Sequence, residues 1–176
     1  QAKNDWVLFV DDDEVVPSVL AKEITKAISS SRYSGYFLRR QDQYYGQILK
    51  YGETGNTKLL RLGLKNIGKW YRPVHEVWQI KGKIGELQHP LIHNRQTLVA
   101  PFIDRIAFYG PIDAVALTKE GKAFSYLRLV FNPWVKFILN YKLKFGFLDG
   151  NLGLFQAYLM SVQSLSVRIF QWQQKT

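Results

Sequence analysis

The fold of this chain is decided by the stretch Trp6-Val7-Leu8-Phe9-Val10-Asp11-Asp12-Asp13-Glu14, in which five apolar residues lead directly into four carboxylates. An apolar run of this length, with β-branched and aromatic members, predicts a short, fully buried strand of the kind found in parallel sheets. Open α/β sheets bind their ligands beyond the carboxyl ends of their strands. The acidic run therefore falls where a binding site is expected.

The acidic run itself indicates a metal site. Four of the fourteen acidic residues are consecutive, in a chain of formal net charge +10. Mg²⁺ and Mn²⁺ prefer carboxylate oxygens, and Mg²⁺ is usually held by one or two carboxylates together with substrate phosphates. Asp11 and Asp13 are two positions apart and would share a face in extended chain, so both could bind one ion. The alternative is an acidic loop that precedes a helix, where carboxylates are favoured.

Length and composition set the remaining bounds. The chain has 176 residues, which suits one domain or one and a half, and 47% of them are apolar, enough for a core. The absence of cysteine excludes disulfides and thiolate metal sites. A buried strand that begins near residue 5, without an initiator Met or a signal-peptide pattern, leads us to expect the later part of a longer protein.

The basic charge predicts an anionic partner, either nucleic acid, anionic lipid or a phosphate-bearing substrate. There is no run of five Lys or Arg residues and no nucleic-acid-binding signature, which argues against nucleic acid. The segment from Gly121 to Thr176 is mostly apolar and contains seven Lys or Arg residues but only one acidic residue, Asp149. This pattern is typical of a segment that lies on the cytoplasmic surface of a membrane.

Periodicity predicts an α/β chain with two parts. The first, residues 1–96, contains an amphipathic helix over 17–29 and strands over 34–40, 47–50, 58–62, 79–85 (a strand with a hairpin turn) and 91–93. The second, residues 97–176, is helical over 98–118, with a break at Pro111, and over 123–141 and 152–172.

The last helical stretch carries one apolar row at three- and four-residue steps: Leu152, Phe155, Leu159, Val162, Leu165, Ile169 and Trp172. Neither 123–141 nor 152–172 gives a clean apolar run of about 18 residues, so we predict helices that lie on a membrane surface. The alternative is that these rows pack on the rest of the protein or on a partner chain.

Further polar residues are candidates for catalysis or binding. Glu76 follows Pro73 among aromatic residues, and a partly desolvated Glu can serve as a general base; otherwise it forms a surface ion pair. His93 ends a short apolar strand and could complete a divalent site, or be a structural histidine. Three arginines at strand ends, Arg39, Arg40 and Arg61, could bind phosphates. Three aromatic residues, Trp70, Tyr71 and Trp78, could stack on a sugar or belong to the core.

Four motifs, in matching order, resemble family 2 glycosyltransferases of the GT-A fold. The stretch Asp5–Glu14 resembles their strand-plus-DxD segment, for which DWxLFLDADE is typical. Val74-His75-Glu76 and Pro90-Leu91-Ile92-His93 resemble the VHE and PLxH elements of the lipopolysaccharide-core glucosyltransferase branch. Lys144–Gly150, followed by Gly153-Leu154, resembles KxGFLDGxxGL near their C-terminus.

The resemblance implies inverting transfer of a sugar from a nucleotide-sugar donor to a saccharide or lipid-linked acceptor, in cell-envelope polysaccharide or lipopolysaccharide synthesis. It implies that Asp11 and Asp13 hold Mg²⁺ or Mn²⁺ against the donor diphosphate, with His93 as a third ligand. Glu76 would be the base that deprotonates the acceptor. The enzyme would be cytoplasmic and held at the inner face of the cell membrane by its C-terminal helices, with no nucleic-acid partner.

Two departures qualify the resemblance. Asp12 stands where the family usually has Ala, and the family's N-terminal βαβ portion, about 80 residues that form much of the nucleotide pocket, has no counterpart in this chain. We therefore expect a partial GT-A mixed sheet that is inactive alone, with an exposed edge on its opening strand.

Two other classes remain open. A phosphatase of the haloacid dehalogenase type also begins with a strand and a DxD motif, but it needs a later acidic pair, and no Asp-Asp or Glu-Asp pair follows position 14. The other is a non-catalytic, basic module that associates with membranes.

Overall fold

The computed structural model describes residues 3–30, 32–55, 57–71 and 77–174. The chain forms two compact units: one comprises Gln1–Ile48 and Thr54–Arg95, the other Leu49–Glu53 and Gln96–Thr176.

The described part of the first unit contains one helix and nine strands: β1 (Trp6–Leu8), β2 (Glu14–Val15), α1 (Ser18–Ile28), β3 (Gly35–Tyr44), β4 (Gln47–Ile48), β5 (Thr57–Leu64), β6 (Gly68–Tyr71), β7 (Val77–Ile80), β8 (Ile84–Glu86) and β9 (Leu91–Arg95). The second unit contains α2 (Ala100–Lys119), α3 (Tyr126–Ile138), a π-helical turn (Leu139–Leu143), a 3₁₀ turn (Gly146–Asp149) and α4 (Gly150–Gln173).

The main sheet has the strand order β1-β5-β3-β9-β2. Its long strand β3 pairs antiparallel with β5 and β4, and parallel with β8 and β9, so the sheet is mixed. A separate two-stranded sheet joins β6 and β7. The predicted fold class, α/β with a mixed sheet and a helical C-terminal region, is confirmed.

Helix α1 covers one side of this sheet as its periodicity predicted. Leu20 is completely buried, and Ile24 and Ile28, at successive four-residue steps, pack against the same core. The core cluster joins this helix to β3, β5, the segment after β8 and β9 through Leu20, Tyr36, Leu38, Leu62, Leu87 and Leu91. Burial of each leucine side chain contributes roughly 1.5–3 kcal/mol.

Strand β1 differs from the prediction of a fully buried parallel strand. It is only half-buried, pairs antiparallel with β5, and stands at one end of the sheet in the described part of the chain. The apolar run did not predict this position correctly because its side chains pack into two different clusters. Trp6 and Leu8 pack against the core, whereas the Phe9 ring contacts the rings of two tryptophans in the β6–β7 sheet.

The hairpin predicted over 79–85 is also wrong. β7 pairs with β6, and β8 instead pairs with β3 in parallel. The reason lies in Trp78, which is 4% exposed and packs closely over Gly63 of β5. A Cβ atom at Gly63 would stand 2.7 Å from the Trp78 ring, so glycine leaves the space that buries the indole. Burial of this large side chain fixes β7 over β5 rather than beside β8.

Helix α2 runs through Pro111, where the sequence predicted a break. Proline removes one backbone hydrogen bond within a helix. Packing holds the helix together here, because Gly110 is buried so closely against Phe170 of α4 that a Cβ would lie 2.5 Å from the ring. In addition, the Gln174 side chain donates a hydrogen bond to the Pro111 carbonyl.

The segment Leu49–Glu53 belongs to the second unit because polar side chains of that unit bind this segment. The buried Asp149 carboxylate accepts the backbone N–H groups of Lys50 and Tyr51 at 3.1 and 2.9 Å. The motif around Asp149 is tightly built: a Cβ at Gly153 would overlap the Gly146 carbonyl oxygen.

Glu53 adds an ionic contact to this binding. Its carboxylate lies 2.6 Å from the Lys136 ammonium and 3.5 Å from that of Lys144. Burial alone would raise the pKa of Glu53. The hydrogen bond and charge of Lys136, the charge of Lys144 and a hydrogen bond from Asn140 lower this pKa by more than burial raises it. The pKa of Glu53 therefore lies below its ordinary value, and the carboxylate stays ionised at neutral pH.

Candidate active site

The site is organised around β9, which lies between two strands that both carry acidic residues. His93 stands directly opposite Asp42 of β3 in parallel register and opposite Glu14 of β2 in antiparallel register. The backbone N–H of Asn94 donates to the carbonyl of Asp13 at 2.8 Å, which ties the acidic run to β9. Sheet pairing thus brings the acidic run against a histidine about 80 positions away in sequence.

The imidazole of His93 is held between two carboxylates. Its Nδ1 lies 2.7 Å from Asp42 Oδ1, and its Nε2 lies 2.8 Å from Asp13 Oδ2. His93 and Asp42 are 3% and 2% exposed, whereas the Asp13 side chain is 46% exposed. The row Asp13–His93–Asp42 therefore runs from solvent into the core, with a fixed imidazole in the middle.

Asp42 is ionised despite its burial. Burial raises the pKa of its carboxyl, but the hydrogen bond with His93 and the electrostatic effects of Arg40, His93 and Arg95 outweigh this effect. The pKa of Asp42 consequently lies below its ordinary value. Arg40 Nε is 3.5 Å from Asp42 Oδ1, so the carboxylate has a cationic neighbour besides the imidazole.

We expect Asp42→Asn to lower the free energy of unfolding at pH 7 by about 2 kcal/mol, because it removes one charge from a buried, hydrogen-bonded pair. The folded pKa of Asp42 is depressed, so its contribution is complete above the unfolded value of about 3.9 and is lost as the pH falls through the folded pKa. Chemical denaturation between pH 7 and pH 2 measures both effects.

The matched control for this experiment is Asp12→Asn, at an exposed position of the acidic run. It should leave the stability at pH 7 unchanged. If the wild type and Asp42→Asn lost stability equally steeply below about pH 4, Asp42 would not be the group responsible for that part of the pH dependence.

Asp11 points to a different partner from Asp13. Its two carboxylate oxygens contact the two terminal nitrogens of Arg61 at 3.3 and 2.8 Å, a bidentate pair. The buried carboxylate of Glu14 accepts the backbone N–H of Asp11 at 3.0 Å and stands within about 4 Å of Arg61. Glu14 therefore has a structural role, since it fixes the turn of the acidic run against a guanidinium.

The donor set suits a hard divalent cation in part. Asp13 and His93 meet at the solvent end of the row, and the buried Asp42 orients the imidazole from behind, as carboxylates commonly do for metal-binding histidines. In the described ranges, however, no three His, Cys, Asp or Glu side chains are grouped closely enough to hold a metal ion. Asp11 could become a third ligand only after its carboxylate leaves Arg61.

Glu76 and the neighbouring His75 fall outside the described residues. The strands on either side of them, β6 and β7, are described. Trp70 and Trp78 stack with their ring centroids 6.1 Å apart, and each centroid is 5.0 Å from that of Phe9. Because Phe9 is two residues before Asp11, the strands that flank Glu76 are packed against the chain that leads into the acidic run.

The other residues that the sequence indicated have ordinary surroundings. Arg39 pairs with Glu86 at 3.5 Å. Of the aromatic residues, Trp78 belongs to the core, whereas Trp70 is 42% exposed and could contact a ligand.

Sequence reasoning missed Asp42. A signal was present: Tyr36, Leu38 and Tyr44 are buried at even positions of β3, and position 42 shares their face. A carboxylate at a core-facing position requires a buried partner. The sequence alone did not show that this partner is His93, because it does not specify which strands pair.

The geometry defines an α/β unit with an acidic turn beside a histidine that a buried carboxylate holds on a neighbouring strand. No family model matches the chain. The chain is similar to a curated protein of Rickettsia typhi that bears the name uncharacterized glycosyltransferase, with 27% identity over 139 residues. The match covers 72% of this chain and 48% of that protein, so the chain spans about half the length of its curated relative. The similarity suggests a relationship to glycosyltransferases.

Proposed function

We propose that this chain is the metal-binding and acceptor-side part of a glycosyltransferase. The enzyme transfers a sugar, with inversion, from a nucleotide-sugar donor to a saccharide or lipid-linked acceptor of the cell envelope. The observation that carries the proposal is the contact of Asp13 with His93, 2.8 Å apart, at the solvent end of a buried row. The similarity to the Rickettsia typhi protein and the motif resemblance support the same class.

In this proposal Asp13 and His93 bind Mg²⁺ or Mn²⁺, and Asp11 joins them. When bound, the cation neutralises the charge that develops on the departing nucleoside diphosphate. Asp42 keeps the His93 ring in place and leaves Nε2 directed at the solvent end. Mg²⁺ characteristically takes few protein ligands and completes its coordination with phosphates and water, so a small donor set is sufficient.

The base in this proposal is Glu76, which removes the proton of the attacking acceptor hydroxyl. Its support is the VHE motif and the packing of β6 and β7 against Phe9, just before the acidic run. The exposed face of Trp70 is a suitable surface for the apolar face of a sugar ring, so we place the acceptor next to it.

The test is a turnover assay on the full-length protein with a panel of nucleotide sugars, in which release of the nucleoside diphosphate is measured. We expect release that requires Mn²⁺ or Mg²⁺ and stops when the metal is chelated. Hydrolysis of a generic aryl phosphate without turnover of any nucleotide sugar would instead indicate a phosphatase and would overturn the proposal.

A further inference from the structure

Helix α3 exposes an apolar row where helices of soluble proteins usually expose polar residues. None of its residues, all of which are described, is buried. Tyr126, the first residue of the helix, is 71% exposed. After it, the exposed positions recur at three- and four-residue steps and are all apolar, with Leu127 at 69% and Trp134 at 67% exposure: Leu127, Val130, Phe131, Trp134, Val135 and Ile138. Its polar residues Arg128, Asn132 and Lys136 are more covered than this row.

Helix α4 likewise exposes apolar side chains and buries polar ones. The apolar row that the sequence predicted faces outward, except at Leu152, which is buried, and Leu159, which is partly covered. The exposed large apolar side chains on this helix are Phe155, Tyr158, Val162, Leu165, Ile169 and Trp172.

The buried side of α4, by contrast, includes polar residues: Gln156, Arg168 and Gln171. Arg168 donates to the Gln171 side chain at 2.6 Å, and Gln171 donates in turn to the Thr118 hydroxyl and the Lys122 carbonyl. Burial of Arg168 and Gln171 is tolerated because they hydrogen-bond to each other and to the backbone.

The two rows lie on helices that pack together. The Ser161 hydroxyl of α4 donates to the Pro133 carbonyl of α3 at 2.8 Å, and the rings of Phe137 and Tyr158 are 4.7 Å apart. We call the twelve exposed side chains of the two rows the apolar face. Soluble monomers rarely expose so many apolar side chains in continuous rows.

The charge of the residues around the apolar face indicates what kind of surface this face contacts. From Gly121 to Leu148 the sequence has five Lys or Arg residues and no acid. Arg128 lies on α3 itself, beside its exposed row, whereas Lys136 is paired with Glu53. Trp side chains, which favour the boundary between lipid and water as Tyr does, occur in both rows, and the α4 row also contains Tyr158. An apolar row with aromatic and basic residues suits a membrane that carries anionic lipids, whereas a protein partner would need no such excess of cations.

We infer that the apolar face of α3 and α4 lies in the interface of an anionic membrane, with both helices along its surface. Among the described helices, none has the length and apolarity that a bilayer span requires. This inference goes beyond the proposed function, because it uses neither the metal site nor the donor.

Vesicle co-sedimentation of the full-length protein tests the inference. The probes are vesicles of phosphatidylcholine alone and vesicles in which one quarter of the lipid is phosphatidylglycerol. We expect binding to the anionic vesicles, weakened by high salt, and little binding to the neutral ones. The double variant Leu127→Glu/Trp134→Glu should bind about 100-fold more weakly, since each substitution places a charge in the apolar interface.

The matched control is Val19→Glu, an exposed apolar position on α1 of the first unit, which should bind as the wild type does. Circular dichroism checks the fold; if the double variant is unfolded, Val162→Gln/Ile169→Gln on α4 replaces it. Equal binding by the variants would overturn the inference. So would a wild-type dimer in sedimentation equilibrium that the same variants convert to a monomer, because a second copy would then cover the face.

The result is separable from the proposed function. Asp13→Asn should bind vesicles as tightly as the wild type, since the acidic run is in the other unit. Failure of vesicle binding with intact metal-dependent turnover would reject only the membrane surface.

Discussion

Replacing Asp13 by asparagine in the full-length protein is expected to lower sugar transfer by about three orders of magnitude, because Lewis-acid assistance is worth several kcal/mol. The amide keeps the shape of the side chain but is a poor ligand for a hard divalent cation. The carboxylate is about half exposed, so its loss should leave the fold intact. The measurement is kcat/KM for nucleoside diphosphate release, with the circular dichroism spectrum of each variant.

The control for Asp13→Asn is Asp12→Ala in the same acidic run. Its side chain is exposed, and alanine is the residue that the resembling family usually has there. We expect this variant to keep wild-type turnover. Equal loss in both variants would mean that the charge of the run matters rather than a particular ligand, and full activity of Asp13→Asn would reject the metal role.

Glu76→Gln is expected to reduce kcat by about 10²–10⁴-fold, the usual contribution of a general base, while donor affinity stays the same. Glutamine retains the size of the side chain but cannot accept the proton of an acceptor hydroxyl. Steady-state kinetics with varied acceptor, combined with titration of the nucleotide sugar, separates the loss of turnover from a loss of binding.

Glu86→Gln is the matched control, because Glu86 is a surface carboxylate that pairs with Lys58 and Arg39. It should leave kcat unchanged. A Glu76→Gln enzyme with wild-type kcat would remove Glu76 as the base, and a variant that fails to bind donor would give it a role in binding instead.

Local patterns in the sequence predicted the elements better than their pairing. The four-residue spacing of Leu20, Ile24 and Ile28 located α1 correctly, since one helix face determines that spacing. The apolar run that contains β1 predicted a strand but not its position at one end of the sheet. Its residue Phe9 packs against the tryptophans of β6 and β7 instead of the core.

The site could be predicted in part for the same reason. The acidic run and His93 were indicated by residue type, but Asp42 lies 51 positions before His93, and only strand register brings the two together. The bidentate pair of Asp11 with Arg61 likewise joins residues 50 positions apart. Residue type indicates which groups can do chemistry, whereas tertiary pairing decides which of them meet.

The outward rows of α3 and α4 show a further limit. Periodicity located the row on α4, but it could not tell which side of the helix is buried. Polar residues can occupy the inner side because Arg168 and Gln171 form hydrogen bonds with each other and with the nearby backbone. The usual rule that the apolar side faces inward assumes water as the only solvent.

The most direct test of the central claim is a titration of the full-length protein with Mn²⁺, followed by electron paramagnetic resonance, with and without nucleoside diphosphate. We predict one bound Mn²⁺ per chain, tighter with the diphosphate, which is lost in Asp13→Asn and His93→Gln but kept in Asp12→Ala. Equal Mn²⁺ binding by all four proteins, or none by the wild type even with the diphosphate, would contradict a cation site at Asp13 and His93.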